Sequence, residues 1–370
     1  MKSLSDTIKR LSAFRAKPVL SGEGQDRLSD LTTFGSNPGA LRSRVYIPEK
    51  LPAKAPLVVV LHGCTQTAAG YDYGSGWSRL ADEQGFALLF PQQQRSNNPN
   101  LCFNWFVPDD IRRGQGEARS ISQMIETFVV AHGLDRRRIF ITGLSAGGAM
   151  TSVMLATYPE LFAGGAIIAG LPFGGATTVP EAFERMRGQD VRSKLRLQSL
   201  VRDASAHSGP WPTVSVWHGS ADGTVDLSNA EAIVDQWREV QGLSKTPANS
   251  EMVDGHRRRF WRDAKGKVLI EEYIIAGMGH GTPLNTGEAG LGNGGAFMLD
   301  VGISSTRHIA RFWGLVPPGI TGKVIRAKAN AGKPGPVPRR SMAQETIPPA
   351  ASDRLQTVIE NALRKAGLMS

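Results

Sequence analysis

The chain has 370 residues, 41% of them hydrophobic, and a formal net charge of +10 at pH 7. That length can bury one large core, in keeping with an α/β domain of about 200 to 300 residues. The charge sits at the ends: residues 1–20 carry five Lys/Arg against one Asp, residues 318–370 carry nine against three, and residues 21–317 hold twenty-nine of each sign. A neutral body with basic ends argues against a groove shaped for nucleic acid. It leaves two roles for the ends, solubilising tails or adhesion to a surface.

No apolar run approaches the roughly 20 residues of a membrane helix. The opening MKSLSDTIKRLSAFRAKPVL lacks the uninterrupted apolar stretch of a secretory signal. The expected location is therefore the cytoplasm, with an extracellular one as the alternative.

In chain order, DLTTFG and SRVYIP are expected to form a leading antiparallel pair. Apolar, largely β-branched runs ending in Gly or Pro then recur: PLVVVLHG, FALLFP, RIFITGLS, GGAIIAGLP, TVSVWHG and EYIIAGMGH. Between the first four lie segments with helical spacing, SRLADEQ, ARSISQMIETFVVAHG and GAMTSVMLATYPELF. Strands buried on both faces read as continuous apolar runs, and their alternation with helices implies a doubly wound, mostly parallel sheet. Residues 172–212 have no strand pattern and sit between two predicted strands, where such sheets commonly carry a lid. RRRFWRDAKGKVLIEEYII reads as a hairpin turning at Lys265-Gly266. The domain so defined spans residues 21–317. It follows a basic segment, 1–20, and precedes a Pro/Gly/Lys-rich linker and an amphipathic helix within 318–370. That helix either docks on its own domain or binds a partner or surface.

Gly143-Leu144-Ser145-Ala146-Gly147 is a GxSxG pattern that follows a predicted strand and opens a predicted helix. The pattern arises by chance in about one chain of this length in ten, but that setting is the one a nucleophile elbow requires. The turn is tight enough to strain the serine, and glycines two residues to either side let the backbones pass. A serine hydroxyl needs a base within hydrogen-bond reach and a carboxylate to fix that base's tautomer. In this fold they follow in the order serine, acid, histidine.

His280, in GMGHGTPL after the last strand, is the candidate base. His308 lies in a helical stretch, His132 and His256 have no strand delivering them, and His207, in the insertion, is the outside candidate. Asp222, in the loop after TVSVWHG, is the candidate acid. Asp226 has the position of a helix cap, and His218 precedes every acid in that loop and is expected to be structural. The developing oxyanion needs two backbone N–H donors: Ala146, after the nucleophile, and Cys64, in the LHGCTQT loop shaped by His62-Gly63.

The chain resembles the esterase family of poly(3-hydroxybutyrate) depolymerases, within the α/β-hydrolase fold, over about residues 44–315. The resemblance rests on LHGCTQTAAGYDYGSGW, ALLFPQQ, CFNWF, RRGQGEARSI, RIFITGLSAGGAMTSVMLATYPELFAGGAIIAGLPFG, VWHGSADGTV and GMGHGTP. It implies Ser145, Asp222 and His280 as a triad and Cys64 and Ala146 as oxyanion donors. Feruloyl and acetylxylan esterases are related, so the chemistry is closer to hand than the substrate.

Where the family often reads PYGCA, this chain reads Pro172-Phe173-Gly174-Gly175-Ala176. That leaves Cys64 and Cys102 as the only possible pair, a bridge in exported relatives and two thiols in a reducing cytoplasm. A tail of about fifty residues is too short for a separate polymer-binding domain.

The expected function is a cofactor-free, metal-independent serine esterase. It would act on soluble or amorphous 3-hydroxyalkanoate esters, with Trp105, Phe106 and the apolar lid segment as candidates to line the acyl pocket. The alternatives are a feruloyl or acetylxylan esterase and a non-catalytic hydrolase-like binding protein.

Overall fold

The computed structural model describes residues 26–189, 194–287 and 291–317. The basic segment 1–20 and the linker with its helix, 318–370, lie outside the described residues. Twelve strands are described: β1 (Ser29–Asp30), β2 (Arg42–Tyr46), β3 (Leu57–Leu61), β4 (Ala87–Gln92), β5 (Ile139–Leu144), β6 (Gly164–Ile168), β7 (Thr213–Gly219), β8 (Asn249–Val253), β9 (His256–Arg262), β10 (Val268–Ile275), β11 (Thr282–Leu284) and β12 (Met298–Asp300). The first ten make one sheet in the order β1-β2-β4-β3-β5-β6-β7-β10-β9-β8. Its six central strands are parallel, and antiparallel strands finish both edges.

The alternation expected from the apolar runs explains the layers. In β3 every residue is buried. Leu57, Val59 and Leu61 join the core on one face, with Val153, Val216 and Trp237. Val58 and Val60 join the other, with Trp77, Trp217 and Tyr273.

The leading antiparallel pair is present, but its first strand is shorter and earlier than DLTTFG. Ser29 and Asp30 pair with Val45 and Arg44, and Leu31 N donates to Ser43 O at 2.9 Å. Beyond it the chain leaves the sheet, burying Phe34 and turning at Gly35 with φ +96°.

The β9–β10 hairpin forms around the expected turn. Asp263 Oδ1 accepts from the backbone N–H groups of Lys265 (2.9 Å) and Lys267 (2.8 Å), and Gly266 takes φ +83°. A third strand, β8, extends this hairpin at the edge and was not anticipated. Its turn, Asp254-Gly255, has φ +48° and +83°, the two positive values that an Asp-Gly hairpin favours.

The described residues of 172–212 are helix and loop, with α6 (Val179–Met186) and α7 (Lys194–Asp203). The remaining helices are α1 (Ala68–Ser75), α2 (Trp77–Gln84), α3 (Pro108–Ile111), α4 (Gly116–His132), α5 (Ala146–Thr157), α8 (Ser228–Val240) and α9 (Ser305–Phe312).

The pairing of β7 with β10 matters most for function. Gly219 stands opposite Ile275, so the loops that leave these strands toward Asp222 and His280 start side by side. Behind them, Arg258 on β9 clamps two carboxylates. Its guanidinium lies 2.7 Å from buried Glu271 and 2.5 Å from Glu251, while Ser215 Oγ donates to Glu271 at 2.8 Å. Burial pushes the Glu271 carboxyl up despite Arg258 beside it.

Removing one partner of such a pair strands a buried charge. Arg258→Ala is expected to lower unfolding free energy by about 3 kcal/mol in urea titrations. Adding Glu271→Gln should restore part of that loss.

Candidate active site

The strand-to-helix turn at Ser145 is built by its glycines. Ser145 has φ +56° and ψ −118°, outside the regions an L-residue favours, and its N–H donates to Ile168 O at 2.9 Å. A side chain at Gly143 would lie 2.4 Å from the carbonyl of Gly147, and one at Gly147 would lie 2.5 Å from the carbonyl oxygens of Leu61 and His62. Only hydrogen fits at either place. In residues 139–159 every position is buried except Ser145, so the turn delivers one hydroxyl.

The candidate acid and base lie on the loops that leave the paired β7 and β10. His280 Nδ1 donates to Asp222 Oδ2 at 2.8 Å, and Asp222 Oδ1 accepts from the N–H groups of Thr224 and Val225 at 2.9 Å each. Burial opposes ionisation of Asp222. The His280 hydrogen bond and charge, His218 nearby and the Val225 N–H together outweigh it and hold the carboxyl below the ordinary range. With its Nδ1 proton fixed on Asp222, His280 keeps Nε2 as its basic nitrogen. Asp226 caps α8 through Ser228 N.

The other histidines bond other groups, although His218 Nε2 also lies 3.4 Å from Asp222 Oδ2. His218 is fully buried and donates from Nε2 to Val225 O at 2.8 Å; burial holds its pKa down. His207 and His256 bond the carbonyls of Pro210 and Val301, His308 bonds Asp254, and His132 packs on Phe128.

The loop after β3 is held at three points. Gly63 N donates to Gln66 Oε1 at 2.8 Å. Thr65, at φ +64°, donates its N–H to Asn100 O at 2.6 Å. Cys64 is joined to Cys102 by a disulfide. The flanking N–H groups are thereby used, while those of Cys64 and Ala146 meet no acceptor among the described residues.

His62 fixes the start of this loop. Its Nε2 accepts from Gln93 N at 3.2 Å, so the imidazole is neutral and its Nδ1 donates to Gly63 O at 2.8 Å. Burial pushes its pKa down to about 4. Gln93 Nε2 in turn donates to buried Glu117 at 2.6 Å, and the other carboxylate oxygen accepts from Asn104 N at 3.0 Å. Three of the sequence motifs, ALLFPQQ, CFNWF and RRGQGEARSI, therefore meet in one buried polar chain behind the loop.

Ser145, His280 and Cys64 open on one cavity of about 470 Å³. Trp105 and Phe106, expected at the acyl pocket, line it with Val179, Ala182, Phe183 and Met186, which form one face of α6. That helix is tied to the acid loop: Asp226 N donates to Met186 O at 2.7 Å, and Arg185 Nε to Asn229 Oδ1 at 2.9 Å. No group of three His, Cys, Asp or Glu side chains suited to a metal ion occurs among the described residues.

Residues 42–258 match the family model described as Esterase PHB depolymerase. The chain belongs to this esterase family. It is 44% identical over 316 residues to a poly(3-hydroxyalkanoate) depolymerase C from Paucimonas lemoignei, covering 84% of this chain and 76% of that one. It is 30% identical to an acetylxylan esterase from Coprinopsis cinerea, covering 70% of each chain, and 29% identical to a feruloyl esterase B from Talaromyces stipitatus, covering 69% and 72%. A solved acetyl xylan esterase from Aspergillus awamori superposes with a TM-score of 0.67 at 24% identity, over 78% of this chain and 99% of that one. That likeness supports the α/β-hydrolase fold, and membership makes the protein a carboxylic ester hydrolase.

The sequence pointed to the apolar insertion as part of the pocket without naming the α6 residues, and it did not single out Gln66, Glu117 or Phe297. Gln66 braces a loop three residues away. The contacts of Glu117 and Phe297 are set by distant segments.

The His62 assignment carries a sign. A histidine whose folded pKa lies below its unfolded value stabilises the fold fully above pH 6.5 and loses that contribution as pH falls toward 4. In ¹⁵N spectra of histidine-labelled protein, one imidazole is expected to stay neutral and Nδ1-protonated at pH 5.5. His62→Gln should remove that signal.

Proposed function

We propose that this esterase hydrolyses soluble or amorphous 3-hydroxyalkanoate esters, with poly(3-hydroxybutyrate) oligomers foremost, through an acyl-enzyme on Ser145. The observation that carries the reading is the hydrogen bond of His280 to Asp222 at the wall of the cavity into which Ser145 opens. In this mechanism His280 Nε2 takes the Ser145 proton as Oγ attacks the ester carbon. The N–H groups of Cys64 and Ala146 receive the oxyanion. The imidazolium, stabilised by Asp222, then protonates the departing alcohol, and water activated by His280 releases the acid.

The higher identity to the Paucimonas depolymerase and the apolar α6 wall favour hydroxyalkanoate substrates over feruloyl or acetyl-xylan esters. The Cys64–Cys102 bridge fits an oxidising compartment better than the cytoplasm. The basic ends, +4 and +6, suit contact with an anionic or granule surface.

Ser145→Ala should abolish turnover of p-nitrophenyl butyrate while leaving the circular dichroism spectrum unchanged. Asp222→Asn should lower kcat by about 10⁴-fold through loss of the tautomer. Activity retained by the serine variant would refute the mechanism. On a panel of 3-hydroxybutyrate oligomers, methyl ferulate and acetylated xylan, kcat/KM should be highest for the oligomers; a preference for either plant ester would reassign the substrate.

A further inference from the structure

Phe297, like Thr65 and Ser145 at the same cavity, stands in a conformation that its side chain disfavours. Residues 295–298 form a tight turn in which Met298 N donates to Gly295 O and Gly295 N to Met298 O, each at 3.0 Å. Phe297 occupies the third position with φ +61°. A positive φ there is ordinarily taken by Gly or Asn, and an aromatic L-residue pays in backbone strain. The chain has glycine at 292, 294 and 295 of the same loop, yet not at 297.

The backbone does not account for the phenylalanine. Its carbonyl accepts from Thr282 N at 2.8 Å, a bond that any residue would provide. Its side chain is only half-buried. The ring packs in part against the core beside it, and it also lines the cavity and stands edge-on to the His280 imidazole, with centroids 6.0 Å apart and planes at 77°.

We infer that Phe297 is a specificity-determining residue, whose ring forms the wall against which the alcohol part of the ester rests. The inference rests on the acyl-transfer reading above. In that reaction the bond from acyl carbon to alkyl oxygen breaks, and the departing oxygen takes its proton from His280 Nε2. The alcohol therefore lies on the His280 side of Ser145 as it leaves. Phe297 supplies the aromatic ring that contacts His280. An apolar alcohol bulky enough to cover a ring face gains from that wall, and a small one does not.

The test uses the full chain and two butyrate esters with alkyl leaving groups of similar acidity, ethyl butyrate and cyclohexylmethyl butyrate. Phe297→Ala and Phe297→Gly should each lower the ratio of kcat/KM for the cyclohexylmethyl ester to that for the ethyl ester by roughly tenfold. Phe297→Leu should recover part of it. The glycine variant separates ring from backbone: φ +61° costs glycine nothing, so it should melt at or above the alanine variant and still lack the selectivity.

Losses of equal factor on both esters, or losses that follow melting temperature across the three variants, would overturn the inference and leave the ring a packing role. Turnover of either ester by Ser145→Ala would instead remove the acyl-transfer reading, and this one with it.

Discussion

The backbone of Gly147 lies where a side chain would sit 2.5 Å from the carbonyl oxygens of both Leu61 and His62. Because none is there, α5 can begin directly beside the end of β3, one strand away from the β5 that feeds it. Leu61 and Gly143 are paired across those strands. The crossing therefore brings two segments 82 residues apart in sequence to a common edge, with Cys64 on one and Ala146 on the other. The strained serine, the free N–H groups and the cavity all follow from that contact. Any residue larger than glycine at 147 would have to push the helix off the sheet.

Three histidines around this edge share one side chain and differ in what surrounds them. His62 has a carbonyl on one nitrogen and a backbone N–H on the other, and burial keeps it neutral. His218 donates to a carbonyl and lies 3.4 Å from Asp222 Oδ2, but burial outweighs that carboxylate and holds its pKa down. His280 gives its Nδ1 proton to the Asp222 carboxylate at 2.8 Å and, unlike the other two, lines the cavity. Position in the chain order separated His280 from the rest. Geometry gives the physical reason, since an imidazole can take a second proton only where a partner stabilises the resulting charge.

The parallel core was legible because its strands are buried on both faces and so carry nothing but apolar residues; Leu57–Leu61 is the plainest case. The elbow was legible because steric necessity puts glycine at fixed offsets from the serine. What escaped notice is polar or conformational. The edge strand Asn249–Val253 is half-exposed and lacks an apolar rhythm, although the Asp254-Gly255 turn beside it was a usable signal. Gln93, Asn104 and Glu117 look like surface residues in sequence, and only the packing of β4 and α4 buries their contacts. Nothing in a sequence marks Phe297 as having a positive φ, because the rest of the fold holds it there against its own preference.

The insertion between β6 and β7 reads as a cover over the cavity, but its helices are laced to their neighbours. Besides the ties of α6 to the acid loop, Gln236 on α8 donates to the carbonyls of Phe173 and Leu197, and Arg202 on α7 donates to Val240 O. A cover sewn to the floor at these points does not swing as a hinged piece. The recess is thus shaped before any ester arrives, and discrimination between esters must be made at the threshold, by which of them can thread into a mould that already has its final form.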